Sequence, residues 1–363
     1  MKTYEVNENC IITISQGKVV VWNLDTGEQY ELFERCFLDR IYEIATADGA
    51  PCSEAAEDEK LSHAKLIREA LDTHPSDISK SQQAWGWDDV AKIFHLGSKH
   101  NFPSDLSSSD ENPEAGYLDF CESIAGSKPI LEIEREGACI PLPAANLSGL
   151  TRDLRSVFQN RKTSRHFKKS PLELSTVSDL LFTTFGKFHG DSHQQELAAR
   201  GVKTVGYRKT SPSAGCLQAT EAYLVALDVK NLPSGVYHYR AHSHCLTLIR
   251  KEIHDLGKSL CHQDFACDAS LLVIMTSRFD KLWWKYPHSR AYRSALLDVG
   301  HLSQTFNLVA TAYNLNTWVT GYFIDDMLND LIQVDGIKEH TIFVAAAGSG
   351  FSDPLSPNMK KLL

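Results

Sequence analysis

An α+β fold built on a mixed or antiparallel sheet flanked by helices is the class this sequence predicts, on three observations. Strand patterns occur next to hairpin signals, as in Gly235-Val-Tyr-His-Tyr239 followed by Leu246-Thr-Leu-Ile249. Two further runs, Ser270–Thr276 and Thr341–Ala347, are apolar throughout and read as buried strands. A helical pattern from Ala291 to Leu315 is apolar around most of its circumference through Leu296, Leu297, Val299, Leu302, Phe306, Leu308, Val309 and Ala312. Such a helix belongs at the centre of a large core or in a dimer interface. Helices mixed with hairpins, rather than alternating with single strands, argue against a doubly wound sheet.

The remaining elements follow in order. Ile11–Ser15, Lys18–Trp22 and Glu28–Leu32 read as short strands separated by Gln16-Gly17 and Asp25-Thr-Gly27 turns. Helical patterns run from Phe33 to Ile44, from Ala64 to Leu71 and from Trp85 to Phe94. Residues 1–95 thus form a small strand-plus-helix domain, either a peptide-docking module or a structural appendage. Asn101 to Gly116 is rich in Ser, Asp, Asn and Pro, so 96–150 reads as a linker and connecting segment. The second domain, 151–363, opens with helices at Thr151–Asn160 and Glu173–Phe185, and Glu221–Asp228 alternates like a strand.

Composition narrows the function. With 363 residues, 42% of them hydrophobic and 23% charged, the chain has enough material for two domains and a sizeable core. No apolar run approaches the roughly 20 residues that span a bilayer. The N-terminus lacks the apolar core of a signal peptide, and a cytoplasmic protein is expected. Nine cysteines, an odd number without a CxxC pair, suggest free thiols in a reducing compartment. The densest Cys/His group, His242, His244, Cys245, Cys261, His262 and Cys267, lacks zinc-knuckle spacing, so no metal is expected. Residues 1–150 hold 12 Lys+Arg against 27 Asp+Glu, a charge of −15, whereas 151–363 hold 25 against 19, or +6. The positive half suits an anionic cofactor or substrate. It carries no basic stripe interleaved with aromatics, which argues against nucleic acid.

Several motifs carry chemistry. Lys285-Tyr286 sets two proton-moving groups side by side, in what reads as a short loop between the strand at 270–276 and the long helix. Arg161-Lys162-Thr163-Ser164-Arg165 concentrates cations and hydroxyls suited to a phosphate monoester, or forms a solvated basic turn. Ser211-Pro212-Ser213-Ala214-Gly215 is a small-residue loop that lets backbone approach a flat ligand. Gly321, in Thr320-Gly-Tyr-Phe323, either offers an N–H to a ligand or simply bends the chain. Gly348-Ser-Gly350 has no helix behind it and is no dinucleotide fingerprint. Asp298 and His301, both on the long helix, read as packing rather than as an acid/base dyad.

The order of these motifs, with the block Lys285-Tyr286-x-x-x-Arg290-Ala-Tyr292-Arg293-x-x-Leu296-Leu297-x-x-Gly300-His301-x-x-Gln304, resembles the FMN-dependent nitroreductase superfamily. More closely, it resembles the SagB-type dehydrogenases, which oxidise thiazolines and oxazolines in modified peptides to thiazoles and oxazoles. The resemblance covers roughly 151–350. It implies FMN as cofactor, with Arg161, Lys162, Thr163 and Arg165 at its phosphate and ribityl chain. Ser211, Pro212, Ser213 and Ala214 would line the isoalloxazine, and the Gly321 amide would face its N5. Lys285 and Tyr286 would be catalytic, and Arg290 and Arg293 candidates for the substrate region. It also implies a domain-swapped homodimer, dioxygen as re-oxidant, a modified precursor peptide as substrate and a cyclodehydratase complex as partner. A tyrosinate at Tyr286, favoured by Arg290 or Arg293, and an amine at Lys285 are both open as the base. Where the family continues with a small residue, a basic pair and proline, this chain has Cys216, Leu217, Gln218 and Ala219. That departure keeps two alternatives in view: an NAD(P)H-fed nitro or enone reductase, and an oxidase of a free or carrier-bound metabolite. A flavin-free scaffold that recruits a precursor peptide is the non-enzymatic reading.

Overall fold

The computed structural model describes residues 3–47, 50–51, 56–70, 86–99, 113–202 and 204–361. The chain divides into two units, 1–109 and 110–363.

In the first unit, β2 (Cys10–Ser15), β3 (Lys18–Asn23) and β4 (Glu28–Glu31) form an antiparallel meander, while β1 (Thr3–Val6) pairs with β5 (Ala50–Pro51) and β6 (Ile67–Glu69). Gln16 and Gly17 both take positive φ, the two-residue turn whose twist matches a hairpin. Helices α1 (Arg35–Thr46), α2 (Ala56–His63) and α3 (Asp89–Gly97) complete the unit. Val21, Ile41, Ile44, Leu61, Leu66 and Ile67 form its core. The buried Asp58 carboxylate is held by Arg40 Nε at 2.7 Å. The expected helix from Ala64 to Leu71 is absent over the described residues. Lys65 enters the left-handed region just after α2, and Leu66 and Ile67 then turn inward as the chain becomes β6. Trp85, Leu71 and residues 100–112 of the expected linker lie outside the described residues, and α3 starts where the Asp88 side chain caps Ala91 N–H.

The second unit begins with α4 (Pro113–Ile124) and β7 (Cys139–Pro141), so the stretch that composition reads as connecting supplies a helix and a sheet strand. There follow α5 (Leu154–Asn160), α6 (Leu174–Phe185), β8 (His189–Gly190), α7 (Gln194–Ala199), β9 (Tyr207–Arg208), β10 (Thr220–Ala226), β11 (Gly235–Arg240), β12 (Cys245–Arg250) and α8 (Leu256–Ser259). The chain continues through β13 (Leu271–Arg278), α9 (Phe279–Lys285), α10 (Ala291–Ala312), β14 (Asn316–Thr320), α11 (Asp325–Ile332), β15 (Glu339–Gly348) and α12 (Pro357–Lys360).

Seven strands, in the order β14-β15-β13-β10-β11-β12-β7, pair antiparallel throughout. Alternation sends Leu224, Val273, Met275 and Ala345 to the face covered by α6 and α10. Tyr223, Val225, Ile274 and Val344 go to the face covered by α8 and α11. Ala345 and Ala347 leave room for α10, which buries Val299, Leu302 and Phe306 against the first face. Its other side is open, with Leu296 42% and Leu297 61% exposed in the single chain.

The structure corrects the cysteine reading at one pair: Cys139 and Cys245 are disulfide-bonded across β7 and β12. These cysteines are 106 residues apart, and only strand pairing brings them together. Cys245 is therefore unavailable to the Cys/His group noted above, and His244 is engaged with Ser178 and Tyr239. Among the described residues no helix is long and apolar enough to cross a membrane.

Charged groups are buried under the start of β10. Lys281 Nζ lies 3.3 Å from both Glu221 Oε1 and the Gln218 carbonyl, while Lys209 Nζ donates to the Thr220 carbonyl at 2.7 Å. His238 Nε2 lies 3.3 Å from the other Glu221 oxygen. Burial would raise the Glu221 carboxyl, but Lys281, His238 and Lys209 together hold it below the usual range. Burial lowers the Lys209 ammonium to about 8.

Phe306→Ala should destabilise the unit by about 3–5 kcal/mol in chemical denaturation, since the ring is fully buried. Lys209 should make stability pH-dependent: its folded value is depressed, so the unfolded chain binds more protons between about pH 8 and 10.5. Wild type should therefore gain stability relative to Lys209→Met as pH rises through that window, and lose it as pH falls, measured by thermal melts of both proteins.

Candidate active site

The Lys285-Tyr286 pair does not lie in a loop. Seven residues, Phe279–Lys285, form α9, and Tyr286 follows as its C-terminal cap. The pattern Phe-Asp-Lys-Leu-Trp-Trp-Lys hides the helix because its inward face includes Lys281, which is buried only because Glu221 pairs with it. Trp284 Nε1 donates to the Ile124 carbonyl at 3.1 Å and so ties α4 to α9.

Opposite α9 lies the Ser211–Leu217 loop, which α10 holds in place. Asp298 accepts from the Ser213 hydroxyl at 3.0 Å and from the Ala214 amide at 2.9 Å. Ser213 Oγ in turn accepts from the Gln218 amide, and Ser211 Oγ pairs with Thr305 Oγ1 at 2.6 Å. Burial raises the Asp298 carboxyl above its ordinary value, against the lowering effect of the Ala214 amide and Ser213 hydroxyl. Gly215 needs to be glycine: its φ is +57°, and a Cβ there would sit 2.5 Å from the Tyr286 hydroxyl and 3.2 Å from Lys285 Nζ.

Lys285 Nζ donates to the Gly215 carbonyl at 3.3 Å and lies 5.4 Å from the Tyr117 ring centre. Burial, followed by a hydrogen bond to Tyr117, raises Tyr286 to about 12, while the adjacent Lys285 lowers it only in part. Arg290 is exposed just before α10. Tyr286 enters neutral solution as a phenol. Tyr117, on α4, was not among the residues the sequence singled out. It stands just after the Ser/Asp/Asn/Pro-rich stretch, where sequence signals are weak, and the Trp284–Ile124 anchor helps bring it over the pair.

A small pocket of about 30 Å³ adjoins this cluster, lined by Lys285, Gly215, Cys216 and Leu217 and by Cys121, Ile124 and Lys128 of the α4 segment. The family-divergent residues Cys216 and Leu217 are thus part of its wall.

The other expected residues sit elsewhere in the chain. Thr163 bridges Thr317 on β14, the Arg165 amide donates to the Pro354 carbonyl at 2.7 Å, and Lys162 Nζ donates to the Ser352 carbonyl. Among the described residues, no ion pair or hydrogen bond involves the Arg161 or Arg165 side chain. Gly321 is exposed beyond the opposite end of β14, and a Cβ there would meet the Phe343 ring at an ordinary 3.5 Å, so packing alone does not demand glycine. Within one chain, no hydrogen bond or ion pair among the described residues links the Arg161–Arg165 strip to the Lys285 cluster.

The fold and these motifs define a nitroreductase-type α+β oxidoreductase. A family model described as the nitroreductase family matches residues 158–349, and the chain belongs to that family. Among curated relatives, the nitroreductase MJ1384 of Methanocaldococcus jannaschii is 29% identical over 197 residues, spanning 54% of this chain and 90% of the relative. The trifolitoxin operon protein TfxC of Rhizobium leguminosarum bv. trifolii is 23% identical over 291 residues, or 76% of this chain and 77% of TfxC. One chain of the E. coli microcin synthetase McbBCD complex, solved with truncated pro-MccB17 bound, aligns with a TM-score of 0.45 at 22% identity, covering 72% of this chain and 92% of that one.

Asp298→Ala should release the Ser213–Ala214 loop and weaken cofactor retention at least tenfold, measured as flavin remaining after gel filtration. Gly215→Ala should retain the cofactor but lower kcat, because its methyl displaces the Tyr286 hydroxyl.

Proposed function

We propose that this protein is an FMN-dependent dehydrogenase that oxidises thiazoline or oxazoline rings of a ribosomally made peptide to the azoles. The observation that carries the reading is the Lys285-Tyr286 pair, closed onto the Gly215 loop at the edge of a pocket. Its similarity to a protein of a toxin operon, TfxC, supports a role in natural-product maturation.

The residues present fit FMN. Arg161 and Arg165, whose side chains have no acid partner among the described residues, and Lys162 can neutralise a phosphate dianion, and Thr163 adds a hydroxyl. Ser211, Pro212, Ser213 and Ala214 form a loop of small side chains that Asp298 keeps rigid. The Gly321 amide is a candidate donor to the ring system. When bound, FMN supplies the two-electron acceptor that takes a hydride from one ring carbon, and dioxygen restores it. Two copies of the chain would unite the Arg161–Arg165 strip of one with the Ser211–Ala214 loop of the other, and would cover Leu296 and Leu297.

Aromatisation also removes a proton from the neighbouring carbon. Tyr286, raised to about 12, is the hydrogen-bond donor of the pair. Lys285, acting as the amine, takes the proton, and its Gly215 hydrogen bond aims Nζ. A modified precursor peptide and a cyclodehydratase complex are the partners this reaction requires. Residues 1–95 then serve as a docking module for the peptide. Cys216 and Leu217 in the pocket wall favour a second reading, in which the same site reduces nitro or enone compounds with NAD(P)H or oxidises another metabolite.

Anaerobic titration of the flavin-loaded protein decides between them. Bleaching by a thiazoline peptide, with a product two hydrogens lighter, supports the dehydrogenase; bleaching by NADPH alone supports the reductase. Lys285→Ala should lower azoline turnover at least a hundredfold while the flavin is retained, whereas Tyr286→Phe should lose less.

A further inference from the structure

The pocket beside Lys285 has a one-sided charge. Lys285 and Lys128 both line it, and no Asp or Glu does. The acids closest in sequence are engaged elsewhere. Asp119 and Glu122 on α4 pair with Arg200, Glu122 at 2.6 Å; Glu132 lies 3.5 Å from His242; and Asp298 is bound to Ser213 and the Ala214 amide. Lys285 has only the Gly215 carbonyl as hydrogen-bond partner, and Lys128 is exposed without an ion-pair partner among the described residues. Between the two lysines the wall is mostly apolar, from Ile124, Ala125, Leu131, Val202, Val205 and Leu217. An apolar cleft whose wall carries the exposed Lys128 ammonium and no acid rewards a flat, apolar ligand carrying one negative charge.

We propose that Lys128 is a specificity residue: it selects substrates that carry a carboxylate next to the reacting ring, either a chain terminus or an acidic side chain of the flanking residue. This deepens the reading of the site given above and rests on it for the identity of the ring. The charge preference itself belongs to the pocket. Lys285 is committed to the reacting atoms, which leaves the exposed Lys128 to hold the anion. The sequence concealed this role because Lys128 lies in the stretch that composition reads as a linker, 157 positions before Lys285.

The test is equilibrium titration of the flavin-loaded protein by calorimetry, with thiazole-4-carboxylate, thiazole-4-carboxamide and 4-(aminomethyl)thiazole as probes of one ring and three charges. The carboxylate should bind about 5-fold more tightly than the carboxamide, the upper range for a single exposed charge pair, and the amine most weakly. Rising salt should erode that ratio. Lys128→Gln should flatten the order, and Lys128→Glu should favour the amine. Equal binding of carboxylate and carboxamide to wild type, no binding of any probe, or an order unchanged in Lys128→Glu would overturn the proposal. Because the probes cannot be oxidised to azoles, the result is independent of whether thiazoline peptides bleach the flavin. A carboxylate preference without peptide oxidation would reject the azoline reading and keep the charge selection.

Discussion

A carboxylate buried on a mostly apolar helix face must find donors or leave the interior, and Asp298 finds them in the Ser213 hydroxyl and the Ala214 amide. That requirement joins the long helix α10 to the Ser211–Leu217 loop. It also sets where Gly215 stands, and therefore where Lys285 and Tyr286 can close. The helix is itself positioned by Val299, Leu302 and Phe306 on the alanine-lined face of the sheet. Core packing thus reaches the candidate catalytic pair through one polar contact.

The back of the loop is held by a different force. Lys209 and Lys281 are buried to donate to the carbonyls of Thr220 and Gln218, and Glu221 pairs with Lys281. Buried ionic groups of this kind add little net stability, and they penalise any alternative path of the chain. The loop is pinned from the α10 side by a carboxylate and from the β10 side by two ammoniums. In this way a stretch of small residues, which has little packing of its own, gains one conformation.

The pocket wall comes from a third source. Cys121, Ile124 and Lys128 belong to the segment that precedes the family-matched residues 158–349. Trp284 anchors that segment to α9. The nitroreductase-type scaffold brings the Lys285-Tyr286 pair and the Ser211–Leu217 loop, while the preceding segment brings Tyr117 and Lys128. The candidate catalytic pair and the lysine proposed for selectivity therefore lie in different stretches of the chain.

Local patterns in the sequence were enough to read the sheet strands, the long helix and the motifs at 161–165, 211–215 and 285–286, because periodicity and residue chemistry act over a few positions. The same locality explains the failures. Phe279–Lys285 did not read as a helix, since Lys281 goes inside only when Glu221 from another strand neutralises it. Ala64–Leu71 read as a helix, although Lys65 breaks it and Ile67 pairs with Val6 instead. Cys139 and Cys245 read as free thiols until strand pairing closed 106 residues between them. The environment of Tyr286 was not legible either, because burial and the hydrogen bond to Tyr117 that raise its hydroxyl come from tertiary contacts. The sequence by itself determined the long helix, most of the sheet strands and the candidate motifs. Tertiary structure alone decided which of those residues meet and in what charge state, because burial and pairing depend on neighbours distant in the chain.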